Sequence, residues 1–202
     1  MIIFEYPVFN GRNGKIDLRE LFPDAGKPFK VEIGFGNGVF IFDKALEESD
    51  TNFIGIELYH RGIRSLAKKI KKADLKNIII IYADAKKVFS ESIRDNELAE
   101  IYINFPDPWP KKRHKKRRLV NVDFAQLVYS KLKNKGTVYL ATDSEDYIKE
   151  MLVSFEGKPG FINLAGRLKY SEKKSEPIVT KYEGKSLSNG KENYYLQFQL
   201  QK

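Results

Sequence analysis

Four acidic residues of this 202-residue chain stand where apolar runs give way to turns, each able to meet a polar ligand. Glu32 heads the string Glu32-Ile33-Gly34-Phe35-Gly36-Asn37-Gly38. Glycines at a strand-to-helix turn let the backbone approach a bound molecule closely and open the helix that follows. Glu57 closes the next apolar run about 20 residues later, the spacing at which an acid hydrogen-bonds a pair of ribose hydroxyls. Asp84, in Tyr82-Ala83-Asp84-Ala85, is placed to accept from an adenine amino group. The spacing G-x-G-x-G departs from the G-x-G-x-x-G of a dinucleotide site, because Val39 stands where the last glycine belongs. A carboxylate at Glu32 would repel a pyrophosphate but suits the ammonium end of a methionine moiety. These residues favour S-adenosylmethionine over NAD.

The fourth acid, Asp107, lies in Asn104-Phe105-Pro106-Asp107-Pro108-Trp109-Pro110. Each proline fixes its own φ and restrains the residue before it, so the string predicts a stiff loop that holds Asp107 and Trp109. Directly after it, seven of the eight residues from Lys111 to Arg118 are Lys or Arg, and the eighth is His114. The whole chain carries a net charge of +9, so the remainder is left at about +2. Charge gathered at one place points to a polyanionic partner. Asp143, in Ala141-Thr142-Asp143-Ser144, is read either as a ligand contact or as the neighbour of a helix cap.

Regular elements must hold these residues in place. Short apolar or β-branched runs predict strands over 29–33, 52–58, 77–82, 100–105, 137–141, 161–164 and 194–200. Helical spacing predicts helices over 39–48, 61–72, 88–94, 122–133 and 144–155. In residues 61–72, Ile63, Leu66, Ala67 and Ile70 form the apolar stripe and basic residues take the other face. Alternation of this kind implies a Rossmann-like α/β fold: a mostly parallel sheet with helices on both faces and a final antiparallel strand. In such folds ligands bind at the carboxyl ends of the strands, where the acids fall. Residues 1–29 read as an arm or irregular lead-in, and residues 30–202 as one methyltransferase domain.

Composition narrows the chemistry further. With no cysteine and only His60 and His114, a cysteine-ligated or multi-histidine metal site is excluded, and no metal is expected. No apolar run reaches the ~20 residues of a membrane span, and Met1-Ile2-Ile3-Phe4-Glu5 lacks the pattern of a signal peptide. A cytoplasmic protein without a membrane partner is the expectation, and a monomer or a homodimer is equally compatible with the sequence.

The chain resembles the bacterial tRNA (guanine-N7)-methyltransferases. The resemblance spans residues 30–200 and rests on three stretches: residues 105–114 through Arg117-Arg118-Leu119, Glu32 with its glycine loop, and Thr180-Lys181-Tyr182-Glu183. It implies transfer of a methyl group from S-adenosylmethionine to N7 of a guanine in the tRNA variable loop. By that likeness Glu32, Gly34, Gly36, Gly38, Glu57, Asp84 and Asp107 line the cofactor site, with Asp107 also catalytic. Lys111, Asp143, Thr180, Lys181, Tyr182 and Glu183 would contact the tRNA. Read from the residues alone, Thr180 and Glu183 belong to a turn before the last strand, and Trp109 is a surface for stacking an extruded base. Two rivals remain: a methyltransferase acting on adenine amino groups, whose motif Asn104 to Trp109 loosely matches, and a nucleic-acid-binding module without catalysis. The full set of four acids argues against the second, since a binder has no use for a cofactor pocket.

Overall fold

The computed structural model describes residues 8–11, 16–172, 180–188, 190 and 192–202, and of Lys181 and Lys185 the backbone alone. In chain order the elements are β1 Val8–Phe9, β2 Phe29–Ile33, α1 Val39–Glu47, β3 Asn52–Glu57, α2 His60–Ala73, β4 Ile78–Tyr82 and α3 Ala85–Glu91. Then follow β5 Leu98–Asn104, α4 Val122–Lys131, β6 Leu132–Thr142, α5 Glu145–Glu156, β7 Phe161–Asn163, α6 Lys181–Ser188 and β8 Tyr194–Leu200. Single 3-10 turns form at Leu18–Leu21 and Lys112–Arg117. The described strands make one sheet in the order β1-β4-β3-β2-β5-β6-β8-β7. Pairing is parallel from β1 through β6, and β8 runs antiparallel to both neighbours.

Burial on both faces explains why the inner strands read as continuous apolar runs. Ile79 and Ile81 of β4 enter one core with Ile54, Ile56, Ile101 and Phe124. Their neighbours Ile78, Ile80 and Tyr82 enter a second core on the opposite face, with Ile63, Leu66 and Ile70 of α2. Successive side chains point to opposite faces of a strand, so one segment feeds both layers. Each isoleucine so buried contributes about 1.5–3 kcal/mol.

Several elements differ from the sequence reading. Leu18 and Phe22, from the stretch expected to be an irregular lead-in, are buried in the larger core. Residues 1–7 and 12–15 of that stretch lie outside the described residues, as do residues 173–179. Strand β6 starts at Leu132 rather than 137, because Leu132 pairs with Leu98 across a register shift. Helix α6 occupies what read as a turn.

The order of the strands fixes where a ligand can sit. From β2 the chain builds outward through β3 and β4, then crosses to β5 and β6 on the other side. Strands β2 and β5 are adjacent, with Ile33 level with Ile103. Their carboxyl ends flank the crevice where ligands bind in open α/β sheets.

Candidate active site

The loop leaving β2 is shaped by three left-handed glycines, with φ of 71° at Gly34, 56° at Gly36 and 70° at Gly38. Side chains are disfavoured at such angles. A Cβ on Gly34 or Gly36 would meet nothing within 4 Å, so these two face open space. Gly38 and Gly62 serve packing instead. A Cβ on Gly38 would lie 2.8 Å from Leu66, and one on Gly62 would lie 1.7 Å from the Gly36 carbonyl oxygen. Helix α2 thus presses its first turn onto the loop. Glu57 fastens the loop from beneath: Oε2 accepts from Gly36 N at 2.9 Å, and Oε1 accepts from Leu58 N and Tyr59 N.

Two clefts open on either side of Gly34. The larger, about 490 Å³, is lined by Glu57, Asp84, Asp107, Trp109, Lys116 and Arg117, among others. Asp84, which lines this cleft, also caps helix α3 by accepting from Lys87 N. Asp107 is exposed on the rim. The smaller cleft, about 350 Å³, is lined by Glu32, Gly36, Asn104, Phe105, Thr180 and Tyr182. Glu32 is only 2% exposed, and its Oε1 accepts from Asn104 Nδ2 at 3.0 Å.

Two residues of this second cleft, brought from separate elements, meet each other, and one of them reaches Asp143 beyond it. Phe105, with a left-handed φ of 51°, turns its ring toward Tyr182 of α6, 5.2 Å between centroids. The Tyr182 hydroxyl donates to Asp143 at the end of β6. A bulky residue held at positive φ is a strained arrangement of the kind that clusters at ligand sites. Trp109, at φ 41°, is a second such residue in the same loop. Asn104 and Phe105 stand in the string quoted from the sequence but were given no site role there; their place at the carboxyl end of β5 is the signal that marks them.

Thr180 and Glu183 form a reciprocal cap at the start of α6. Thr180 Oγ1 accepts from Glu183 N at 3.0 Å, and Glu183 Oε2 accepts from Thr180 N at 3.1 Å. This is the capping box that the pattern Thr-x-x-Glu encodes. Glu183 is 1% exposed and also accepts from Tyr195 OH at 2.7 Å. Burial and that carboxylate together push the Tyr195 hydroxyl pKa well above its ordinary value. The side chain of Lys181 lies outside the described residues. Of the four residues, Thr180 and Tyr182 reach the cleft, while Glu183 is turned into the protein.

The basic run divides in two. Lys112–Arg117 form the 3-10 turn, and Lys111, Lys112, Arg113, Lys116 and Arg117 are exposed. Arg118 is instead 1% exposed and fully engaged. Its Nε donates to the Pro108 carbonyl at 2.8 Å, Nη2 pairs with Asp146 at 2.6 Å, and Nη1 pairs with Glu150. The guanidinium also lies over the Tyr147 ring, 4.6 Å from its centroid. Lys115 shares Asp146 at 2.7 Å. Hydrogen bonds from Lys115 and Arg118 hold the Asp146 carboxyl below its usual value, while burial pushes the Tyr147 hydroxyl up to about 12. The uniform basic octet read from the sequence is therefore five exposed cations, one shared lysine and one internal anchor. Trp109 is partly used as well: Arg117 lies 5.0 Å above its ring and His114 meets its edge.

These clefts at the sheet's switch point occur on a known architecture. A solved 16S rRNA methyltransferase superposes with a TM-score of 0.63 at 10% identity, covering 92% of this chain and 91% of that one. A family model described as "Putative methyltransferase" matches residues 26–196. The chain is a methyltransferase of the Rossmann-like class. It is 40% identical over 171 residues to the tRNA (guanine-N(7)-)-methyltransferase of Buchnera aphidicola subsp. Baizongia pistaciae, across 85% of this chain and 71% of that protein. To the protein of that name from Thermotoga maritima it is 36% identical over 198 residues, across 97% of this chain and 62% of its relative. It belongs to the tRNA (guanine-N(7)-)-methyltransferase family.

Proposed function

We propose that this chain methylates N7 of a guanine in the tRNA variable loop, with S-adenosylmethionine as methyl donor. The observation that carries the reading is the convergence of Glu57, Asp84 and Asp107 on one cleft beside Gly34, with Glu32 behind the same loop. The residues fit the donor's chemistry. The open Cβ positions of Gly34 and Gly36 leave room for its close approach. Glu57 is placed for the ribose hydroxyls, Asp84 for the adenine amino group and Glu32 for the ammonium. When bound, the donor supplies an electrophilic methyl group on a sulfonium sulfur.

The chain's own residues have a limited task. Guanine N7 carries a lone pair and no proton, so no base is required, and the ring becomes cationic as the N–C bond forms. Holding N7 in line and stabilising that charge are what remain. Asp107 is assigned both: its carboxylate can accept from the guanine N1–H and amino group. Phe105 and Tyr182 offer the target base an aromatic wall, Asp143 fixes the Tyr182 hydroxyl, and Thr180 with Glu183 fixes the helix that carries Tyr182. Lys111, beside the rim, reaches the target nucleotide, while the exposed cations after it bind phosphates without reading sequence.

The test is transfer of labelled methyl from S-adenosylmethionine to unmodified tRNA, with the modified base located by mass spectrometry. Label on guanine N7 is the expected result. Label on an adenine amino group, or none at all, would overturn the reading.

A further inference from the structure

A second gathering of positive charge lies on α2. Between His60 and Ala73 the helix carries six Lys and Arg and no Asp or Glu. Ile63, Leu66 and Ile70 bury one face, which leaves the cations to the other. Arg61, Arg64, Lys68 and Lys72 follow one another at steps of three and four and are all exposed. They make a single line, about 16 Å long at 1.5 Å per residue. Among the described residues, none of these four side chains is in a hydrogen bond or an ion pair.

The helix does not need this arrangement for itself. Like charges three and four residues apart repel and weaken it. Lys72 does suit the negative end of the helix dipole, but Arg61 and Arg64 stand at the opposite end, where acids are favoured. The first turn has no acidic residue. A merely solvated face would mix both signs. The position of the line matters as much as its charge. Its start abuts the glycine loop through Gly62, and Glu57 and Leu58, just before it, line the larger cleft together with Lys86, Lys116 and Arg117.

We infer that Arg61, Arg64, Lys68 and Lys72 form a second phosphate-binding surface, which holds a stretch of tRNA backbone leading away from the target guanine. The turn Lys112–Arg117 holds the stretch beside it. A polyanion is the partner that fits, because an unmixed line of cations is complementary to repeated phosphates and to little else. This inference rests on the tRNA reading above.

The experiment compares two charge-matched variants with the unaltered chain. One carries Arg61→Gln, Arg64→Gln, Lys68→Gln and Lys72→Gln. The other carries Lys27→Gln, Lys133→Gln, Lys135→Gln and Lys158→Gln, at the amino edge of the sheet, away from both clefts. Binding of tRNA is measured across a salt series, with S-adenosylmethionine affinity and circular dichroism as checks on the fold. The α2 variant is expected to bind tRNA about tenfold or more weakly, with the slope of log K against log salt flattened by about 3 units. The control should keep the original slope. Unchanged tRNA binding by the α2 variant overturns the inference, as does an equal loss in the control, which would mean that net charge alone acts. A change confined to oligomeric state would make the surface a contact between copies of this chain and also overturn it. If the unaltered protein fails to methylate tRNA, the functional reading falls and takes this inference with it. If it methylates tRNA and the α2 variant binds normally, only the inference falls.

Discussion

Arg118 and Lys112 carry the same charge six positions apart, yet one is buried beneath the active-site loop and the other points into solvent. The difference lies in what each can reach. Arg118 finds two carboxylates, a carbonyl and an aromatic face, enough to offset its lost hydration. Removing the partners should therefore hurt more than removing a surface pair: Asp146→Ala with Glu150→Ala leaves a buried guanidinium without countercharge, held only by the Pro108 carbonyl and the Tyr147 ring, and about 3 kcal/mol of stability should go with them. An unfolding free energy in urea unchanged within about 0.5 kcal/mol, as for a median surface pair, would show that the anchor is dispensable. Asp107 sits at the other end of the same loop and has no such partners. With Asp107 placed against the guanine as proposed, Asp107→Asn keeps its shape but turns a donor amide toward the base's own donors. Loss of one preorganised electrostatic contact costs on the order of 2.7–4 kcal/mol, or about 100- to 1,000-fold in rate. Single-turnover methylation should fall by that much while tRNA binding barely moves, since phosphates dominate that affinity. A rate near that of the unaltered enzyme would reduce Asp107 to a spacer between prolines.

Helix α6 is the element whose formation depends most on a few atoms. It is eight residues long, too short to persist without its caps and contacts. Thr180→Ala removes the Oγ1 acceptor and should cost about 1 kcal/mol. It should also loosen Tyr182 from Phe105 and Asp143, so KM for tRNA rises more than S-adenosylmethionine affinity falls. Steady-state kinetics showing no change in either would make the cap structurally incidental. The sequence holds this cap in plain form, Thr-x-x-Glu, but the run behind it, Gly184-Lys185-Ser186-Leu187-Ser188, is poor in helix formers and lacks an apolar period. Strands β2 to β5 were legible because most of their positions are buried on both faces, and burial selects β-branched and apolar residues there. The start of β6, Lys133-Asn134-Lys135-Gly136, was not, since its place comes from pairing with β5 rather than from its own side chains. The site followed the same rule. Acids at or just past strand ends could be read off, whereas the meeting of Asn104 with Glu32, or of Phe105 with Tyr182, exists only once separate strands and a distant helix are assembled.

For the molecule as a whole, the net charge of +9 says little until each cation is assigned to the interior or the surface. Taken at face value, the octet would lend all seven of its charges to an RNA partner. Arg118 cannot contribute, being internal, and Lys115 is committed to Asp146. Arg117 divides its contact between solvent and the Trp109 ring. That leaves Lys112, Arg113 and Lys116 as cations free to displace counterions from tRNA, with Lys111 set aside because the proposed function gives it to the target nucleotide. Each phosphate neutralised changes log K by about 0.9 per decade of salt for duplex DNA and about 0.7 for single strands. Lys112→Gln, Arg113→Gln and Lys116→Gln together should then flatten the salt slope by roughly 2 to 3 units. Replacing Lys115 and Arg118 by Gln should leave the slope within about half a unit, while lowering stability through the loss of the Asp146 and Glu150 pairs. The two variants remove three and two charges from one short segment, so a response set by net charge would scale with that ratio. A slope that shifts for the Lys115–Arg118 pair as much as for the exposed trio would mean that the turn rearranges on tRNA and that Arg118 leaves its pocket to bind.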